Sequence, residues 1–391
     1  MKKKMFTFAL GLFAAATIFT SCGNNSKQET TDNKTEEKVS EKITLGMIGP
    51  LTGDAAVYGI TSLNGMELAV EEINANGGIL GKEITLLKED DQADPAKGKL
   101  AYKKVKSSNV DMIIGPITSG SGEVVAKDAN QDKIPMITPT GTALSLTNDR
   151  EYVFRTCYTD PFQGEVLAKY AAENLQAKKV AVLSSTSSDY SAGVAKAFEE
   201  KAKEFGMEVV AFEKYNGNDK DFKAQLTKIK EANPDVLCIP DYYNVIALVA
   251  KQAREVGIKA TVVGPDGWDG VLKQMEADSQ AVEGSVFANH YSQDDQSEKV
   301  QNFIKAYKDK FKEDPTAFSA LSYDTIYMVK SAVEKAGKVD SEAIKEALET
   351  ISSDGVTGSL TFDENHNPIK AVSMIKIENG KYVFDTIVKN D

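Results

Sequence analysis

Small hydroxyl residues, aromatics and one acid recur in this sequence just after short apolar runs. DMIIG (111–115) is followed by PITSGSGE, which offers Thr118, Ser119 and Ser121 ahead of a helix expected to open near Ser121. IPMIT (134–138) leads to PTGTALS, with Thr140 and Thr142. Tyr190 follows KVAVLSS (179–185), Tyr242 and Tyr243 follow DVLCIP (235–240), and Tyr58 follows ITLGMIG (43–49). ATVVG (260–264) runs into PDGWDG, which carries Asp266, Trp268 and Asp269. Hydroxyls beside the free N–H groups of a helix start make a seat for a carboxylate. An acid among aromatics suits an ammonium. The hydroxyls come mainly from the first part of the chain and the aromatics and acid from the second, a division that fits a zwitterion. Any single loop of this kind is explained by turn formation and helix capping. Several on the same edge of two sheets are harder to explain that way.

That edge depends on the elements around it. From residue 43 onward short apolar strands alternate with amphipathic helices. Leu63, Met66, Val70 and Ile73 fall at helical spacing within Gly59–Asn74, and NANGGILGK (74–82) ends that helix. EITLLKED (83–90) and EVVAFEKY (208–215) are further strands. The rhythm restarts at Asp160-Pro161, where Asp160 is expected to cap and Pro161 to occupy the first turn. Buried strands alternating with helices predict parallel sheets covered on both faces. The expected fold is α/β, with two doubly wound Rossmann-like lobes. The last third differs, with helices over 295–312, 317–336 and 341–351 and hairpin-like strands over 359–363 and 372–384.

Other chemistry lacks its parts. His290 and His366 are the only histidines, and neither has a second ligand at metal-binding spacing, so no metal and no cofactor is expected. NGGILGK fails as a phosphate loop, because Asn76 stands where the first glycine belongs and Glu83 follows the lysine. SGSGEVV lacks the third glycine of a dinucleotide fingerprint, and no GxSxG elbow is present. The chain therefore does not read as an enzyme. Asp90, Asp91 and Asp94 read as turn and helix-start residues rather than a calcium loop.

The N-terminus is of another kind. Lysines at 2–4, an apolar run from Met5 to Phe19 and small Thr20 and Ser21 before Cys22 resemble a lipoprotein signal, with residues 1–21 removed and Cys22 lipidated. Residues 22–42 then form a polar tether whose one apolar residue after the cysteine is Val39. The expected location is the outer face of a bacterial cytoplasmic membrane, held by the lipid alone. Without Lys2, Lys3 and Lys4 the formal charge of −12 becomes −15, which argues against nucleic acid. At 41% hydrophobic and 27% charged, the body has material for large cores. Cys157 and Cys238 sit in apolar segments and read as buried thiols, with a single disulfide as the alternative.

The stretches IGPLTGDAAVYG, NGMELAVEEINANGGILGK, DDQADP, IIGPITSGS, TPTGTALSL, DYSAG, PDYYN and GPDGWDG follow one another as they do in a known family. From about residue 43 to its end the chain resembles the branched-chain amino-acid (leucine/isoleucine/valine) binding proteins of ABC importers, with the type I periplasmic-binding fold. The resemblance implies two lobes, 43–159 with 289–372 and 160–288 with 373–391, joined by three crossovers near 159, 289 and 372. It implies that Ser119, Thr140 and Thr142 hold the α-carboxylate and help seat the ammonium, and that Asp266 takes the family's acidic place opposite that ammonium. Tyr58, Tyr190 and Tyr242 would line or close the cleft, and Thr118 and Phe318 would face the ligand's side chain. A disulfide found in some members has Ala93 and Thr118 at its positions here. Trp268 and Asp241 are departures expected to bear on selectivity. The implied partners are a small amino acid and the membrane subunits of a permease, with the protein itself a monomer. A sensor of the same fold and a carrier for another small polar or amide ligand are the alternatives.

Overall fold

The structure is a computed structural model and describes residues 42–275 and 278–388. Cys22 and the assigned signal and tether lie outside these residues, except Lys42, which already begins the first strand.

One sheet is wholly parallel, in the order β2-β1-β3-β4-β5. Its strands are β1 (Lys42–Gly49), β2 (Glu83–Asp90), β3 (Met112–Ile114), β4 (Met136–Thr138) and β5 (Val153–Arg155). A seven-stranded sheet is built from β6 (Lys179–Ser185), β7 (Glu208–Tyr215), β8 (Val236–Cys238), β9 (Thr261–Gly264), β10 (Val286–Asn289), β14 (Val372–Glu378) and β15 (Lys381–Val388). Its order is β15-β14-β10-β9-β8-β6-β7, parallel from β7 to β10 and antiparallel at the β14–β15 edge. A small antiparallel sheet joins β11 (Ser352–Gly355), β12 (Gly358–Phe362) and β13 (Pro368–Ile369). β3, β4 and β8 are buried along their whole length, as strands covered on both faces must be.

The covering helices are α1 (Ala56–Ala75), α2 (Pro95–Ser107) and α3 (Ser119–Gln131) on the first sheet, and α4 (Asp160–Glu173), α5 (Asp189–Glu204), α6 (Lys223–Ala232), α7 (Tyr243–Val256) and the short α8 (Val271–Gln274) on the second. α9 (Glu298–Phe311), α10 (Ala317–Ala336) and α11 (Ser341–Glu349) return to the first half. α10 lies along α1 so closely that a Cβ on Gly65 would stand 2.1 Å from the Ser319 carbonyl oxygen. A Thr316–Ser319 capping box opens α10 and Gly337, at φ +69°, closes it.

The expected helices and the long strands are present. β5 and β10 had no expectation attached: VFR and VFAN are too short for any period to register, although both are buried. The strand expected over 372–384 is two strands turning at Asn379 and Gly380, both at positive φ (52° and 68°). The 359–363 strand pairs with Ser352–Gly355 and Pro368–Ile369 rather than standing in a simple hairpin.

Candidate functional site

The loops expected to seat a carboxylate follow β3 and β4 at the C-terminal edge of the first sheet. α3 opens at Ser119, not Ser121, and Thr118 occupies the N-cap position. The Thr118 hydroxyl makes no capping bond and is buried without a partner among the described residues. Ser119 Oγ accepts the N–H groups of Thr142 (3.2 Å) and Ala143 (3.1 Å) and lies 3.5 Å from Thr142 Oγ1. Thr140 Oγ1 donates to the Ile117 carbonyl at 2.6 Å, which ties the two loops together. Behind them lies fully buried Arg155, which donates to the carbonyls of Gly141 (2.9 Å) and Ala143 (2.8 Å) and to Thr147 Oγ1 (2.9 Å). A trans peptide points its N–H opposite its C=O. Holding the Gly141 carbonyl backwards therefore turns the Thr142 N–H forward, toward Ser119.

The acidic end comes from the second half. Asp266 Oδ1 accepts the Tyr190 hydroxyl at 2.9 Å, and that hydroxyl in turn accepts the Gly267 N–H at 2.9 Å. Asp266 Oδ2 lies 3.4 Å from His290 Nε2, and the Asp266 N–H donates to Gln163 Oε1 at 2.9 Å. Asp160 is not the cap expected of it. Thr159 caps α4 through the Phe162 N–H, while Asp160, the first helical residue, is 2% exposed and leaves Oδ1 unpartnered among the described residues. Its own N–H donates to the Thr142 carbonyl at 3.0 Å, which joins the acidic end to the hydroxyl end. Burial drives the Asp160 carboxyl well above the usual range; the Thr142 hydroxyl opposes this and Asp266 adds to it. Burial also pulls His290 down to about 4, so its imidazole is neutral near pH 7. Among the described residues no lysine or arginine forms an ion pair with Asp160 or Asp266.

Aromatic rings wall the space between. Tyr58 stacks on Phe318 with centroids 4.2 Å apart and meets Tyr242 edge-on at 5.5 Å, and Tyr242 stacks on Tyr190 at 5.2 Å. Several bonds span the two halves. Tyr58 Oη donates to the Gly267 carbonyl (2.5 Å) and accepts the Tyr243 N–H (3.1 Å), while Tyr243 Oη donates to the Asp54 carbonyl (2.7 Å). Asp269 accepts the Ala317 N–H at 2.7 Å, and Lys273 pairs with Glu313 at 2.8 Å.

Tyr58, Thr118, Ser119, Thr140, Thr142, Tyr190, Asp266 and Phe318 are all buried and Tyr242 is half-buried; contacts join Phe318, Tyr58, Tyr242, Tyr190 and Asp266 in one chain and Ser119 with Thr142 in another. The two expected departures are buried as well. Trp268 is fully buried within the second half, donates from its indole N–H to the Ile239 carbonyl at 2.9 Å, and fits because Gly264 has no Cβ to block it. Asp241 is held by the Tyr215 hydroxyl and the Tyr242 N–H, and burial pushes its carboxyl up to about 6. Cys157 and Cys238 are buried free thiols. Asp94 caps α2, Asp90 accepts the Leu51 N–H, and Asp91 accepts the Ala93 N–H. Among the described residues no cluster of His, Cys, Asp or Glu is arranged to hold a metal ion.

Asp160, Gln163, His290 and Arg155 were not marked from the sequence as site residues. The signal was an Asp-Pro at a helix start, which the capping rules account for without any further role.

Residues 42–381 match the family model described as periplasmic binding protein. The Leu/Ile/Val-binding protein BraC3 of Rhizobium johnstonii is 34% identical over 87% of this chain and 93% of its own. The Leu/Ile/Val-binding protein of Escherichia coli K12 is 30% identical over 83% and 88%. The crystal structure of the branched-chain amino acid transporter substrate binding protein LivJ of Streptococcus pneumoniae, in complex with isoleucine, is 35% identical. It superposes with a TM-score of 0.83 over 89% of this chain and 100% of that one. Two doubly wound halves meeting over a buried polar cluster agree with that match along almost all of the described residues. The chain belongs to the periplasmic binding proteins, a family of transporter substrate-binding proteins and not of enzymes.

Proposed function

We propose that this protein captures a free amino acid, above all a branched-chain one, between two lobes and hands it to the permease of an ABC importer. The lobes are residues 43–159 with 289–372 and 160–288 with 373–391, and the passages near 159, 289 and 372 act as the hinge.

The observation that carries this reading is a buried cluster with two unlike ends. At one end Ser119, Thr140, Thr142 and the uncapped start of α3 present hydroxyls and N–H groups, with Thr118 Oγ1 unpartnered. At the other, Asp160 and Asp266 are buried with no lysine or arginine in ion-pair contact among the described residues, and Arg155 offsets the burial of Asp160 only in part. Buried carboxylates left without a cation are costly. An α-ammonium between Asp266 and Asp160 removes that cost while the α-carboxylate takes the donors opposite. Phe318, Tyr58 and Tyr242 leave room for an uncharged side chain. The cross-lobe bonds of Tyr58 and Tyr243 exist only when the lobes meet, so they select the closed, loaded form. Cys22 would anchor the protein by lipid on the outer face of the membrane, where tethering raises its effective concentration at the permease.

Calorimetry on protein unfolded and refolded to strip bound ligand tests the proposal. Tight one-to-one binding of leucine, isoleucine or valine is expected. Binding only of molecules that lack an ammonium would overturn it.

A further inference from the structure

A cavity of about 580 Å³, within the range of small-molecule sites, lies apart from the polar cluster. Segments from both halves line it, among them His290, Val356, Lys370, Ala371, Phe384 and Ile387. Phe384 and Ile387, from β15, are 39% and 54% exposed. Lys370 is the one lysine or arginine in the lining. Its ammonium donates to the Thr156 carbonyl (3.4 Å) and Thr357 Oγ1 (3.2 Å) and stands 5.3 Å from the centre of the Tyr158 ring. Among the described residues no carboxylate lies within ion-pair distance of it. Asp324 is reached only through Thr357, and it already accepts the N–H groups of Val356 and Thr357, each at 2.8 Å, and the Thr357 hydroxyl at 2.7 Å. The two acids in the lining are engaged as well: Asp294 accepts the Phe384 N–H (2.9 Å) and Asp295 the Ser297 N–H (2.8 Å).

We infer that this cavity is a second ligand site, for a small amphipathic carboxylate such as a medium-chain fatty acid. Its carboxylate pairs with Lys370 and its hydrocarbon lies along Val356, Ala371, Phe384 and Ile387. A lysine has three donors, and the two neutral oxygens it meets leave one for an anion. Burial pulls Lys370 down to about 8 although Asp324 opposes the shift, and an anion paired directly with the ammonium would add to that opposition. Covering exposed Phe384 and Ile387 adds the apolar contribution. His290 belongs both to this wall and, through Nε2, to the Asp266 end of the polar cluster, so the two sites share a residue without sharing a space.

Titration of the full chain with octanoate and with 1-octanol at pH 7, with and without saturating leucine, tests the inference. Octanoate is expected to bind one-to-one under both conditions, about tenfold or more tighter than the uncharged alcohol. Lys370→Met should weaken octanoate by about tenfold. Because Lys370 also reaches Asp324 through Thr357, Ile387→Glu serves as a second variant: it sits at an exposed position, leaves the fold alone and repels the same anion. Absence of octanoate binding, equal binding by Ile387→Glu, or one-for-one displacement by leucine would each overturn the inference. Failure to bind any amino acid would instead strike the function proposed above, and octanoate binding sensitive to Ile387→Glu would still stand.

Discussion

Tyr58 and Gly267 lie 209 residues apart in sequence, and the tyrosine hydroxyl donates to the glycine carbonyl at 2.5 Å. The same hydroxyl accepts the Tyr243 N–H, so one oxygen of the first half satisfies two backbone groups of the second. Tyr58→Phe keeps the stack on Phe318 and removes only this latch. The loss of two buried bonds, with the Gly267 carbonyl and the Tyr243 N–H both left unsatisfied, predicts an affinity decrease of about 2–3 kcal/mol, or roughly 30–150-fold. On the proposed two-lobe clamp the contact forms only on closure, so the change should appear in the dissociation rate measured by stopped flow, with association little altered. A pure association effect would mean that Tyr58 contacts the ligand in the open state instead.

Asp266 is expected to pay a different kind of penalty. Asp266→Asn keeps the shape and the Tyr190 contact but removes the charge opposite the proposed ammonium. Leucine binding should weaken by about 3 kcal/mol, on the order of a hundredfold, since an ammonium would be buried with Asp160 as its only anionic partner. The same variant should bind 4-methylpentanoate, which has leucine's carbon frame without the amine, no worse than the unaltered protein does. Equal losses for both compounds would assign Asp266 to the architecture of the loop and not to the ammonium.

Much of this was readable in the chain, and the limits have physical causes. Long strands and helices announce themselves by period, and α10 was expected over the same residues, 317–336, that it occupies. The candidate site loops were singled out because ligands of doubly wound folds lie beyond the carboxyl ends of strands. What escaped were groups with an adequate local explanation. Asp160 looked like a cap because Asp before Pro usually is one, and only the three-dimensional arrangement gives that role to Thr159 and frees Asp160. Arg155 ends a three-residue strand, and its bonds reach back to residues 141–147, a relation that local pattern does not encode. Trp268 and Asp266 are two residues apart, yet the indole bonds to the Ile239 carbonyl and the carboxylate to the Tyr190 hydroxyl, a divergence that proximity in sequence does not show.

His290 makes stability depend on pH. Burial lowers its folded-state value to about 4, against about 6.5 in the unfolded chain. The unfolded state therefore takes up the proton first as pH falls. Its contribution is fully present above about pH 6.5 and is lost progressively toward pH 4. Over that interval the loss is roughly 2–3 kcal/mol. Asp91, Asp241 and Asp269, each raised to about 6 chiefly by burial, act in the opposite sense, since they favour the folded state more as pH falls. The histidine contribution is isolated by comparing urea unfolding of the protein and of His290→Gln at pH 7 and pH 4.5. The variant should lose less stability between the two values. An identical drop in both proteins would show that His290 is readily protonated in the fold.

The contact of α1 with α10 sets a steric test. A methyl group on Gly65 would lie 2.1 Å from the Ser319 carbonyl oxygen, and backbone atoms cannot swing aside as a side-chain end can. Gly65→Ala gains some helix propensity, but separating two packed helices should cost more, for a net destabilisation of roughly 2–3 kcal/mol. Thermal unfolding reads this directly. A variant as stable as the parent would mean that the helices have slack at this point.

Trp268, the single tryptophan of the chain, separates packing from selectivity. Its indole is fully buried, bonded to the Ile239 carbonyl and seated against Gly264, within the same apolar core as Tyr58 and Phe318. Trp268→Phe leaves a void and an unsatisfied carbonyl, so unfolding should become easier by roughly 2–4 kcal/mol. The ratio of leucine to alanine affinity should stay within about twofold, because hydrophobic discrimination comes from the groups that touch the side chain of the ligand. Phe318→Ala supplies the contrast, since its ring lies on Tyr58 within the aromatic wall and its loss should change that ratio. A shift in the ratio for Trp268→Phe with no shift for Phe318→Ala would place the specificity pocket on the second half and require the ligand's side chain to be turned the other way.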